Sequence, residues 1–193
     1  MKNNIENNII TIKENPRYIF HTPEAQKWDF ATLRFLRAAI NNGSRVDISR
    51  VYSDSRYRLK FKRLSLTGAH ERGHMEAAHD VATGVSGEVF ANGNGITKFR
   101  LLARNLRDYV RNINYVGYAG KLTEEALGEV PHGHGFDIAQ NDAYADFYSK
   151  ITGLSGSSLQ SEAARWAQST VNSRIERIVS AGVEMAEGHL EAA

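Results

Sequence analysis

The chain has 193 residues, 41% hydrophobic and 24% charged, the make-up of an ordinary globular domain with one substantial core. A formal charge of +2 is too small to imply a nucleic-acid or membrane partner by itself. With no cysteine, zinc ribbons, thiol nucleophiles and disulfides are excluded.

Met1 to Asn8 is polar and Asn-rich, and is expected to be loose. It has no apolar core of the kind a signal peptide needs, and no run approaches the ~18 apolar residues of a membrane span. The expectation is a protein that is cytoplasmic as synthesised and leaves a cell, if at all, by lysis or a specialised secretion route. Ile9 to Ile12 reads as a short strand closed by Asn15-Pro16. Thr22-Pro23-Glu24 starts a helix whose apolar residues, from Trp28 to Ile40, recur at helical spacing until Asn41-Asn42-Gly43 ends it.

Val46 to Ser53 reads as a strand. From Arg56 to Lys62 the pattern alternates, with Arg56, Arg58, Lys60 and Lys62 against Tyr57, Leu59 and Phe61; this predicts a half-buried strand with a basic outer face. Val81 to Asn94 is Gly-rich and reads as loop. Ile96 to Asn112 reads as a helix, Tyr115 to Tyr118 as a short strand, Thr123 to Leu127 as a helical turn and Gly135 to Ile138 as another strand. Asp142 to Ile151 and Ser158 to Glu187 are amphipathic helices. The sum is an α+β domain: a small antiparallel or mixed sheet flanked by helices, with a helical C-terminal extension. Residues 1–20 form a loose segment, 21–140 the metal-binding core and 141–193 the extension.

Five of the seven histidines fall in two short stretches. Ala69 to Asp80 holds His70, His74 and His79 among Glu71, Glu76 and Asp80. Pro131 to Asp137 holds His132 and His134. Neutral imidazole with carboxylate is the ligand set of zinc and similar ions, so the two stretches are expected to meet around one Zn2+. Two ligand sets are open. In the local one, His70-Glu71-Arg72-Gly73-His74 fits His-Glu-x-x-His. Residues four apart share a helix face, both imidazoles reach one ion, and Glu71 activates the water. Asp142 and Asp146 are the candidates for its third ligand.

That motif is similar to the zincin metallopeptidases. The nonlocal set rests on a second resemblance, over about Val46 to Ile138, to the M15-type zinc peptidases. These include D-alanyl-D-alanine carboxypeptidases and L-alanyl-D-glutamate endopeptidases, with a core shared by the hedgehog signalling domain. Val46 to Ser53 resembles their first core strand, His70-Glu71-Arg72-Gly73 their His-x-x-Gly, and Ala78-His79-Asp80-Val81 the Ala-x-Asp-Ile that follows. His132-Gly133-His134 resembles their closing His-x-His. The likeness implies His70, Asp80 and His134 as ligands, with His132 assisting the water. His70 and Asp80 are ten residues apart, three more than the pattern has, which an insertion at His74-Met75-Glu76 accommodates. It also implies a cell-wall peptide as substrate, whose carboxylates Arg56 and Arg58 on the basic strand would meet.

Two other readings stay open. Phe90-Ala91-Asn92-Gly93-Asn94-Gly95, followed by Arg100-Leu101-Leu102, resembles the phosphate loop of Fic-type nucleotidyl transferases. Glu88 stands at that family's essential His and Ile96 at its arginine, so the likeness implies a catalytically degenerate member. The strip Arg50, Arg56, Arg58, Lys60, Lys62 and Arg63 would serve a nucleic-acid or other anionic partner. A metal held only for structure is a further alternative, which the count of protein ligands would decide.

Overall fold

The computed structural model describes residues 2–131 and 135–190. Helices α1 (Lys2–Glu14), α2 (Phe30–Asn41) and α3 (Ile48–Ser53) lead into the long α4 (Ser55–Val81). A hairpin of β1 (Ala82–Val89) and β2 (Gly95–Leu101) follows, then α5 (Leu106–Ala126), α6 (Gly135–Thr152) and α7 (Gly156–Leu190). Among the described residues the sheet has two antiparallel strands, so the arrangement is α+β with helices predominating. No helix of the described residues is long and apolar enough to cross a membrane.

The stretch 46–62, expected as two strands, is helical, and aspartates at two helix entrances explain why. Asp47 accepts from the Arg50 amide to cap α3, and Asp54 accepts from the Arg56 and Tyr57 amides to cap α4. The alternation of residues 56–62 is incidental: Tyr57, Phe61, Leu64, Ser65, Gly68 and Ala69 are buried at helical spacing, whereas Leu59 is 66% exposed. The basic residues therefore spread around a helix. Lys62 pairs with Asp29 and Glu129, Arg50 with Asp54, and Arg58 lies over the Trp28 ring. The N-terminal stretch, expected as loose chain with a strand, is helix α1. It sits against α3, with Asn8 donating to the Tyr52 hydroxyl.

Helices α4, α5 and α7 pack on one another, and α4 owes its position to missing side chains. A Cβ on Gly68 would stand 2.5 Å from the Gly182 carbonyl oxygen of α7, and one on Gly73 would stand 2.8 Å from the Ala119 carbonyl oxygen of α5. Helices approach this closely only where both surfaces are small. The C-terminal helices are thus not an appendage. Ile178, Val179 and Val183 of α7 join Phe35, Phe61 and Leu64 in one core, while Ala163, Ala167 and Val171 join Ala77, Tyr115 and Val116 in a second.

Residues 82–101, expected as loop followed by helix, form the hairpin. Its turn is closed by the Phe90 amide donating to the Asn94 carbonyl, with Gly93 at φ +85°. Thr97, Phe99 and Leu101 alternate with exposed Ile96, Lys98 and Arg100, a period of two inside a stripe read at 3.6. The Gly-rich segment that resembles a phosphate loop opens into strand β2 and not into a helix; α5 starts later, capped by Asn105. Tyr115–Tyr118 lies inside α5, and 135–138 is the first turn of α6.

Candidate metal centre

Helix α4 puts His70 and His74 one turn apart on the face turned towards α5 and α6, with both rings buried. Their Nε2 atoms are 2.9 Å apart. Asp137, in the first turn of α6, brings its Oδ2 to 3.5 Å from His70 Nε2 and 3.3 Å from His74 Nε2. Ligand atoms at about 2.0–2.1 Å from a tetrahedral centre stand roughly 3.3–3.4 Å from one another. The three observed separations straddle that spacing, so the donor set suits an ion of zinc's size and preferences. Among the described residues it is the one group of three His, Asp or Glu side chains with atoms this close.

The outer ring nitrogens are held. His74 Nδ1 lies 2.7 Å from the Val116 carbonyl oxygen, which can only accept, so Nδ1 carries the hydrogen and Nε2 presents its lone pair. His70 Nδ1 donates to Glu124 Oε1 at 2.5 Å. A carbonyl behind one ligand and a carboxylate behind the other is the arrangement that orients metal-binding imidazoles. Gly120 completes the cradle: any Cβ there would stand 2.5 Å from His74 Nε2 and 2.6 Å from His70 Nε2. Only a glycine leaves both donor atoms room.

The charges around the pair are matched. Burial opposes protonation of His70, but hydrogen bonds to Asp137 and Glu124 outweigh it and push its pKa up to about 9. Burial likewise opposes ionisation of Asp137, yet the hydrogen bond from His70, with the His74 ring beside it, holds its carboxyl well below the usual carboxylate range. In the metal-free protein, then, His70 keeps a proton on the edge that faces His74 and Asp137. A divalent cation would take the place of that proton.

Glu71, next in sequence to His70, is 7% exposed. The Thr97 hydroxyl of β2 lies 2.7 Å from Glu71 Oε2 and 3.1 Å from its carbonyl oxygen. A cleft of about 310 Å³ opens on His70, Glu71, His74 and Asp137. A larger one, about 630 Å³ between α2 and α7, has no such group on its walls.

The structure therefore brings together His70, His74 and Glu71 of the predicted residues. Asp80 lies ten residues along α4 from His70, about 15 Å of axial rise, and is engaged elsewhere. It accepts from the Tyr115 hydroxyl at 2.6 Å and pairs with Arg174 at 2.9 Å. Asp142 accepts from Gln160 and Asp146 pairs with Lys150, both on the exposed side of α6. Arg56 and Arg58 sit about 21 and 18 Å along the helix axis from His70, too far to touch a substrate held there. His132 and His134 lie outside the described residues.

Two residues of the centre escaped the sequence. Asp137 belongs to the second histidine stretch, which its sequence pattern assigns to a strand; its position in the first turn of a helix aims it at α4. Glu124 sits in Thr123-Glu124-Glu125, and only the packing of α5 on α4 sets it behind His70. No family model matches the chain, and neither a curated protein nor a solved structure matches it.

Proposed function

We propose that the protein is a zinc-dependent hydrolase that cleaves amide bonds in peptides, with His70, His74 and Asp137 as metal ligands and Glu71 as general base. One observation carries this reading. Three donor atoms converge at tetrahedral spacing on a cleft, and a buried carboxylate from the adjacent helix position lines the same cleft. This is the local, His-Glu-x-x-His version of the metal hypothesis. Its support is that α4 presents both histidines on one face, whereas the M15-like version needs strands where α3 and the start of α6 lie.

A zinc ion bound there supplies a Lewis acid that polarises the scissile carbonyl and makes water acidic near neutral pH. Among the described residues three would ligate the ion, and a site with three protein ligands would keep a coordination position open for water, as catalytic sites do. Glu71 then accepts a proton from the attacking water and delivers it to the departing nitrogen. A carbon–oxygen bond forms, the carbon–nitrogen bond breaks, and the proton ends on the amine. Thr97 fixes the Glu71 carboxylate through its hydroxyl, and Glu124 and the Val116 carbonyl fix the imidazoles.

Metal analysis of the purified protein tests the ligands, and hydrolysis of a mixed peptide library by the zinc-loaded chain tests the activity. About one zinc per chain is expected, falling to none in His74→Ala. Full zinc content in His74→Ala and Asp137→Asn would exclude the assignment.

A further inference from the structure

The walls of the histidine cleft carry information on what enters it. Gly95, Thr97 and Phe99, every second residue of β2, line one side, with Ile96 at the rim. Ile113 and Val116 of α5 and Phe136 of α6 supply the rest of the apolar surface. Phe136 is 76% exposed, and nothing among its described neighbours explains an aromatic ring left open to water beside a polar site. Apart from the histidines, the charged residues on the described walls are Glu71 and Asp137, both acidic; no Lys or Arg is among those residues.

We propose, resting on the hydrolase reading above, that this cleft takes an uncharged apolar side chain of the substrate peptide next to the cleaved bond, and that Ile96, Phe99 and Phe136 set that preference. A volume of about 310 Å³ is at the small end of ligand pockets and accommodates roughly one or two residues. An apolar side chain gains by covering Phe99 and Ile113. A carboxylate in the same place loses water, meets Glu71, and, apart from the centre itself, finds no Lys or Arg among the described walls to pair with. The acidic stem peptides of cell walls are therefore poor substrates for this centre, and neutral sequences with Phe or Leu at that position are good ones.

The test uses the full chain. With one equivalent of zinc, peptides that differ only in having Phe, Leu or Glu beside the cleaved bond are compared. Phe and Leu are expected to exceed Glu by about tenfold or more in kcat/KM. Ile96→Ser with Phe136→Ser, both at exposed positions, should narrow that ratio to about threefold while zinc content stays unchanged. Independently of turnover, N-acetyl-phenylalaninamide added to the zinc-free protein should shift the NMR resonances of Ile96, Phe99 and Ile113, and uncharged leucinamide derivatives should do the same; the N-acetyl-glutamate amide should not. Equal kcat/KM for Phe and Glu, or equal shifts from both amides, overturns the proposal. If no peptide is cleaved, the hydrolase reading fails by itself, and the amide shifts still decide whether the cleft selects apolar side chains.

Discussion

Helix α4 carries two buried charged knots about a turn and a half apart, and they are built on opposite plans. At Glu76, 1% exposed, the protein supplies its own counter-ions. Arg72 reaches it along the helix, and Arg174 and Arg177 reach it from α7. Arg174 also pairs with Asp80, so carboxylates and guanidiniums close on each other. At His70 and His74 the neighbours are Asp137, Glu124 and Glu71, all acids. There the imidazoles accept a proton or an ion as counter-charge. A knot that is internally paired holds helices together; one that gathers acids and imidazoles at a common point is the one we propose to hold a cation.

The largest expected effect separates the two plans. Glu71→Gln keeps the side-chain shape and the contact with Thr97 but removes the proton acceptor. Turnover of the zinc-loaded protein should fall about 10²- to 10⁴-fold, with zinc content and melting temperature nearly unchanged. If Glu71→Gln is as active as the parent, Glu71 is not the base. Glu76→Ala should show the reverse pattern. It strands the Arg72 and Arg177 guanidiniums, leaves Arg174 to Asp80, and should lower unfolding stability by about 2–4 kcal/mol in urea, discounted because Arg177 is well exposed, while the folded fraction still binds one zinc. Loss of zinc binding at undiminished stability in Glu76→Ala would merge the two knots into one.

A smaller effect sharpens the metal side alone. Gly120→Ala puts a methyl group against both Nε2 atoms. The helix interior gains propensity from alanine, so any cost comes from that collision, about 1–3 kcal/mol of stability. Zinc affinity should drop by at least tenfold, a loss seen when ligand orientation is disturbed. Unchanged affinity would show that the ring edges face elsewhere when the ion binds.

How much of this was legible in the chain follows from which forces were local. Helix α7 was readable nearly end to end, because its apolar stripe is periodic over nine turns, and Gly43 with φ +63° marked the end of α2. The stretch 46–62 is ambiguous because Tyr57 and Phe61, four apart, fit both periods, and Leu59 between them fits only that of a strand. Asp47 and Asp54, which decide the matter, look like ordinary turn residues until their amide partners are known. In the site, His70, Glu71 and His74 were legible because a single helix sets their spacing. Asp137 was not, since its place depends on α6 docking against α5 and α7. Sequence spacing reports on one element; a third ligand from another element is a matter of packing.

The pH dependence tests the same contrast more gently. His70 has a folded pKa of about 9 against an ordinary 6.5, so the stability it contributes is fully present below pH 6.5 and is lost as pH rises through 9. Asp137 is shifted the other way: its contribution is present above its ordinary 3.8 and is lost only as pH falls through its depressed folded value. Metal-free protein should therefore be most stable between about pH 4 and 6.5 and lose on the order of 3 kcal/mol by pH 9. His70→Asn should abolish that slope, whereas Glu76→Ala should leave it, because guanidinium groups do not titrate in the range. On the proposed ligand set zinc would displace the His70 proton, so its affinity should climb by about tenfold per pH unit up to pH 9 and then level off. A zinc affinity flat from pH 6.5 to 9 would mean that no proton leaves when the ion enters, and that His70 is not where it binds.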